Sequence, residues 1–105
     1  MAEILEDRVC TCGVIMQEVL QGVNEPRMLR ELSIRMSLLP YLETSRHTHV
    51  EAASLFQRCR LKGIPVHTID ACIAATAIEH GVALFTLDRG LQRVSSVEPR
   101  LRYYA

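Results

Sequence analysis

Apolar positions along the chain alternate between short unbroken runs and wider helical spacings. Val9-Cys-Thr-Cys-Gly-Val-Ile15 is a short β-prone run, and Met16-Gln-Glu-Val-Leu-Gln21 carries the unbranched residues of a short helix that Gly22 stops. Asn24-Glu-Pro-Arg opens a second helix: Asn24 or Glu25 stands near the cap, and Pro26 sits where a missing N–H costs nothing. Met28, Leu29, Leu32, Met36 and Leu39 then recur at helical spacing until Pro40. Tyr41-Leu-Glu-Thr-Ser reads as a short extended connection. Thr48 is placed to cap a third helix whose apolar side includes Val50, Ala53, Leu55 and Phe56 and which stops at Gly63. A fourth helix starts at Thr68 or Asp70, shows an apolar face of Ile73, Ala74, Ala77 and Ile78, and ends at Gly81. Val82 to Phe85 suits a buried parallel strand, and Leu101-Arg-Tyr-Tyr is a candidate late edge strand.

This alternation predicts an α/β fold with a parallel sheet covered on both faces. A chain of 105 residues with an apolar share of 49% has room for one domain and a modest core. Its 12 basic and 12 acidic side chains cancel, so any contact with a polyanion must be local. No apolar run is long enough to span a bilayer, and Met-Ala-Glu-Ile-Leu-Glu-Asp-Arg lacks the regions of a signal peptide, so a cytoplasmic protein is expected. Cys10, Cys12, Cys59 and Cys72 are then expected as reduced thiols. Only five residues are aromatic and none is Trp, which argues against a base-stacking platform for single strands.

The chemistry concentrates in three carboxylates. Asp70 stands at the start of a helix, Asp88 just past the following strand, and Glu18 after an earlier strand-like run. In open α/β sheets those places lie at the ligand-binding end. Three oxygen donors suit Mg²⁺ or Mn²⁺, which keep several waters and need no full protein cage. Such an ion would favour phosphodiester hydrolysis. Thr86, two residues before Asp88, would face the same side of an extended segment and could hold a water. Taken singly, each has an ordinary structural reading: a helix cap for Asp70, a turn for Asp88, a solvated face for Glu18 and a strand position for Thr86.

The stretch Thr68-Ile-Asp-Ala-Cys-Ile-Ala-Ala-Thr-Ala-Ile-Glu-His-Gly, followed by Leu-Phe-Thr-Leu-Asp-Arg, closely resembles the carboxyl-terminal half of PIN-domain proteins, especially VapC-like toxins of bacterial toxin–antitoxin pairs. Thr11-Cys-Gly-Val-Ile-Met-Gln-Glu-Val-Leu-Gln-Gly22 resembles the family's second acidic motif. The resemblance implies a three-layer α/β/α fold with a central parallel sheet, metal-dependent endoribonuclease activity with Mg²⁺ or Mn²⁺, an RNA substrate and a cognate antitoxin. Matched motif to motif, Glu18, Asp70 and Asp88 fall on the family's acidic positions, and Thr86 on the polar position before the last of them.

Two departures stand out. The family's first strand, with an Asp in an Asp-Thr-Ser or Asp-Thr-Asn context, has no counterpart, and Gly90 occupies a position where many relatives carry another Asp. Asp7 is the nearest upstream acid, but it precedes the second strand. Residues 1–105 are therefore expected to be a single PIN-like domain lacking the usual first strand, through a misassigned start, a shortened chain or a degenerate gene. That strand lies mid-sheet in the family, so its absence would leave unpaired edges and favour a homodimer. A contrasting reading is a catalytically inactive PIN-like module that binds an antitoxin or RNA. A receiver-like or phosphatase-like domain ranks below both, for want of an amino-terminal acidic pair.

Other signals carry less. Cys10-x-Cys12 and His47-x-His49 have spacings unlike those of common zinc modules, and Cys72 has no His placed to activate it. Arg58, Arg60, Lys62, Arg89 and Arg93 could contact RNA phosphates or form a solvated basic face. His67 and His80 are proton carriers by type alone.

Overall fold

The computed structural model describes residues 2–5, 9–86 and 89–103. Its elements are β1 (Ala2–Leu5), β2 (Val9–Cys12), α1 (Gly13–Gln21), α2 (Pro26–Met36), β3 (Tyr41–Leu42), α3 (Arg46–Leu61), α4 (Thr68–His80), β4 (Ala83–Thr86) and α5 (Arg89–Arg93), with a 3₁₀ turn at Val94–Ser96. The fold is α/β. Pro26 takes the first position of α2 with Glu25 as its cap residue, and Gly81 closes α4 in the left-handed conformation at φ 65°. Both follow from local chemistry: proline has no N–H to lose at a helix start, and glycine has no Cβ to clash at φ > 0.

The strands form one sheet in the order β3-β2-β1-β4. β2 pairs parallel with β3, while β1 pairs antiparallel with both β2 and β4. Strands β2, β3 and β4 therefore run in one direction, as expected of a parallel sheet, and Tyr103 adds a parallel bridge to Leu84 beyond β4. β1 is the exception. Only residues 6–8 separate it from β2, and so short a link permits a hairpin but no parallel crossover, which takes a dozen residues or more. No strand is expected from the sequence over residues 2–5. Because β1 fills the gap between β2 and β4, those two strands are paired within the chain, and the unpaired edges expected there do not arise.

Helix boundaries depart from expectation where tertiary packing decides. The β-prone run ends at Cys12, and α1 begins at Gly13 rather than at Met16. A Cβ at Gly13 would lie 2.7 Å from the hydroxyl of Tyr41 on β3, so glycine allows this close approach. Thr48 is not the cap of α3. Ser45 is, its Oγ accepting from Thr48 N while Thr48 Oγ1 accepts from Ser45 N, a reciprocal capping box. The buried stripe of α3 is Thr48, Ala52, Leu55 and Cys59, and Val50, expected on the apolar side, is 60% exposed because it lies nearly opposite that stripe.

Helices α3 and α4 form an antiparallel hairpin. Ala52 packs with Ala71 and Ala75, and Thr48 near the start of α3 donates to Glu79 near the end of α4. These small side chains let the helices approach closely, and residues 71–77 of α4 are all buried. The main core gathers Ile15, Leu55, Ile73, Leu84, Leu91 and Val94 from α1, α3, α4, the sheet and the carboxyl-terminal segment.

Candidate active site

The topology brings Thr86 and the first turn of α4, which carries Asp70, toward one end of the sheet. Ile4 faces Cys10 on one side and Leu84 on the other, so two residues further along, Cys12 and Thr86 stand level at the carboxyl ends of β2 and β4. α1 leaves the sheet directly after Cys12, and Glu18 lies on it, exposed. α4 contacts both α1 and β4, and the chain reverses at Gly81, so the start of α4 returns to the end of the sheet where β4 finishes. Asp70 sits in that first turn, half-buried. A carboxylate there is favoured by the positive end of the helix dipole, and His67, the cap residue, makes no side-chain cap bond.

Thr86 is the last residue of β4 and pairs with Ala2. Asp88 and Asp7 lie outside the described residues. Among the described residues, no three His, Cys, Asp or Glu side chains are grouped to hold a metal ion. Glu18 and Asp70 are the described members of the predicted trio. As oxygen donors at the carboxyl end of a parallel strand set, they fit a hard divalent cation and not a soft one.

The thiols near this end are structural. Cys12 is the cap residue of α1, and burial pushes its pKa up, outweighing the opposite influence of the nearby Ile15 and Val14 N–H groups. Cys72, close to Cys12, is likewise pushed up by burial, in keeping with packing and not nucleophilic attack. All four cysteines are free and buried. Cys10 and Cys12 lie in β2, whereas His47 and His49 are exposed in the first turn of α3.

The basic residues divide. Arg58 donates to Glu98 at 3.2 Å, and Arg60 stacks over the Phe56 ring at 5.8 Å. Lys62 and Arg93 are exposed, and Arg89 opens α5. His80 shares a 2.8 Å hydrogen bond with the Glu43 carbonyl. A cleft of about 290 Å³ between α3, α4 and the carboxyl-terminal segment is lined by His47, Glu51, Arg58, Glu79, Glu98 and Arg100 among others. It opens toward the far end of α4, away from Asp70.

A model of the PIN domain matches residues 1–97. The chain belongs to the PIN-domain family. PIN domains are in general divalent-metal-dependent nucleases, and the matched span contains Glu18, Asp70, Thr86 and Asp88. A search of curated proteins found no match.

Three side chains that hold the fold together are not legible in the sequence. Ser45 and Thr48 are both cap-forming residue types in the same capping box, and local chemistry does not choose between them. Glu98 and Tyr103 sit in a stretch with weak periodicity, where the one local signal was the spacing of Glu98 and Arg100. Tyr103 donates its hydroxyl to the Leu91 carbonyl, a contact across the fold that no local pattern encodes.

Proposed function

We propose that this PIN domain is a metal-dependent endoribonuclease of a toxin–antitoxin system, with Glu18, Asp70 and Asp88 as ligands of Mg²⁺ or Mn²⁺ and Thr86 as the polar group that holds a water beside them. The observation carrying this reading is the convergence of the β2 and β4 carboxyl ends with the first turn of α4. When bound, the ion supplies a Lewis acid for the scissile phosphate and a nucleophilic water at neutral pH. Asp70 stands in the first turn of α4, where the positive end of the helix dipole favours a carboxylate. Glu18, on the exposed side of α1, leaves the site open to a polymer. Lys62, Arg89 and Arg93 are the basic residues assigned to the RNA backbone, and Arg58, paired with Glu98, is withdrawn from that role.

The toxin–antitoxin setting, the cytoplasmic location, the cognate antitoxin and the homodimer belong to the same proposal. No helix among the described residues is long and apolar enough to cross a membrane. Ile34 and Leu38, 64% and 81% exposed on and beyond α2, offer apolar surface for a protein partner. A second reading, an inactive module that binds an antitoxin or RNA, is favoured by one observation: the central strand reads Ala2-Glu3-Ile4-Leu5, with no Asp.

Cleavage of a mixed structured RNA with Mn²⁺, Mg²⁺ or EDTA, run beside Asp70→Asn, tests the proposal. Metal-dependent cutting that the variant abolishes is the expected result, because Asn keeps the shape and removes the charge the ion requires. Equal cutting by the variant would overturn this site. A folded chain that binds RNA without cutting it would select the second reading.

A further inference from the structure

Helices α3 and α4 leave a groove of about 400 Å³ on their outer side. Buried Ala52 and Ala71 lie at its base, and the half-buried Phe56 ring packs against them as one wall. His49, Gln57 and Arg60 of α3 and Thr68 of α4, all exposed, supply its polar rim. The Arg60 guanidinium lies 5.8 Å from the centre of the Phe56 ring and also borders a second hollow, of about 250 Å³, over residues 63–66. Among the described residues lining the two hollows none is acidic, whereas the cleft at the far end of α4 holds Glu51, Glu79 and Glu98. A flat apolar face, small side chains beside it, neutral hydrogen-bonding groups and a cation at the rim suit a planar ligand that carries negative charge, and the volume is that of a small-ligand site. A nucleotide has that chemistry. One ring makes a place for one base, and not the row of rings that five aromatic residues exclude. Thr68, Ala71 and Cys72 share one face of α4, and by the helical period Asp70 lies on the other, so the groove and Asp70 stand at one level of the helix, separated by its width of about 10 Å. A single strand that crosses the start of α4 reaches both.

We propose that the outer groove between α3 and α4 is a subsite for one unpaired nucleotide of the RNA: its base lies against Phe56, Gln57 and His49 hydrogen-bond the base edge, and Arg60 meets the phosphate. This rests on the reading of RNA as the substrate, and it adds a site that acts by binding and not through the metal. Loss of the stacking face is expected to weaken RNA binding roughly 5- to 20-fold, the lower part of what a stacked aromatic supplies. Loss of one phosphate contact on a single strand is expected to reduce the slope of log affinity against log salt by about 0.7.

The test is fluorescence anisotropy of a short, unstructured 2′-O-methyl oligoribonucleotide in EDTA, over a range of salt, with the full chain and its Phe56→Leu, Phe56→Tyr and Arg60→Gln variants. Leu keeps an apolar side chain against Ala52 and Ala71, and Tyr keeps the ring, so the fold is retained. The expected results are weaker binding by Phe56→Leu with the parent's salt slope, a reduced slope in Arg60→Gln, and parent-like binding by Phe56→Tyr. A parent that does not bind, a Phe56→Leu variant as tight as the parent, or an Arg60→Gln variant with the parent's slope would overturn the subsite. Cleavage of RNA with Mn²⁺ separates this result from the nuclease reading. If the parent cuts, Asp70→Asn does not, and Phe56→Leu and Arg60→Gln keep the parent's KM, the subsite falls while the nuclease stands. If the oligonucleotide binds through Phe56 and Arg60 and no RNA is cut, the subsite stands and the nuclease reading falls.

Discussion

Glu98 shows how one side chain can secure a segment. It is 5% exposed, yet accepts from Arg58 at 3.2 Å and from Arg100 at 2.8 Å, with a further bond from the Arg100 backbone. Hydrogen bonds from Arg100 hold its pKa down at about 2 against the ordinary 4.5. A carboxylate with a depressed folded-state pKa stabilises the fold fully above its unfolded value, and that stabilisation is lost as pH falls from about 4.5 toward 2. Both guanidinium partners are partly open to water, so the contribution at neutral pH is about 2 kcal/mol. Glu98→Gln is expected to lose that amount at pH 7 and to flatten the acid limb between pH 4.5 and 2, as read from urea denaturation across pH. An unchanged acid limb would assign acid sensitivity to other carboxylates. This clamp was illegible in the sequence because Arg58 is 40 residues from Glu98, whereas the Gly81 stop and Pro26 start were legible because each acts on its own backbone.

Between elements, the α3–α4 hairpin depends on Thr48. Its hydroxyl closes the capping box with Ser45 and also reaches Glu79 on α4, while the side chain is fully buried. Thr48→Val keeps the shape and removes the hydroxyl, leaving the Ser45 N–H without its partner. The expected loss is about 1–2 kcal/mol in a denaturant melt, with most of it recovered by Thr48→Ser. A loss in Thr48→Ser with little or none in Thr48→Val would mean that methyl packing, not the hydroxyl, is the contribution. The helix was legible in the sequence, but its buried stripe was not. Leu55 was legible as a core residue, but Val50 and Ala53 have the same apolar chemistry, and only the position of α4 selects Ala52 and Cys59 in their place.

For the molecule as a whole, β1 determines whether the sheet is continuous. It pairs with β2 on one side and β4 on the other, so it joins the half of the sheet that leads into α1 to the half that leads toward Asp88. Ile4→Pro removes a backbone donor from a strand with neighbours on both edges and is expected to abolish cooperative unfolding, seen as loss of a sigmoidal thermal transition by circular dichroism. A transition within a few degrees of the parent would show that β2 and β4 hold together without β1.

What the sequence determined by itself was local and chemical. Helix starts and stops at Pro26 and Gly81, the strand-forming runs around β2 and β4, and the acids at Glu18, Asp70 and Asp88 with Thr86 beside the last are all written in short windows, and the PIN-domain motifs lie in those windows. The tertiary structure alone decided the pairing of β1 with β4, the capture of Arg58 by Glu98 and the grip of Tyr103 on α5. Each of these joins groups across the closed fold. Their strength comes from burial and from hydrogen bonds that exist only once distant segments have met, and no window of sequence contains both partners.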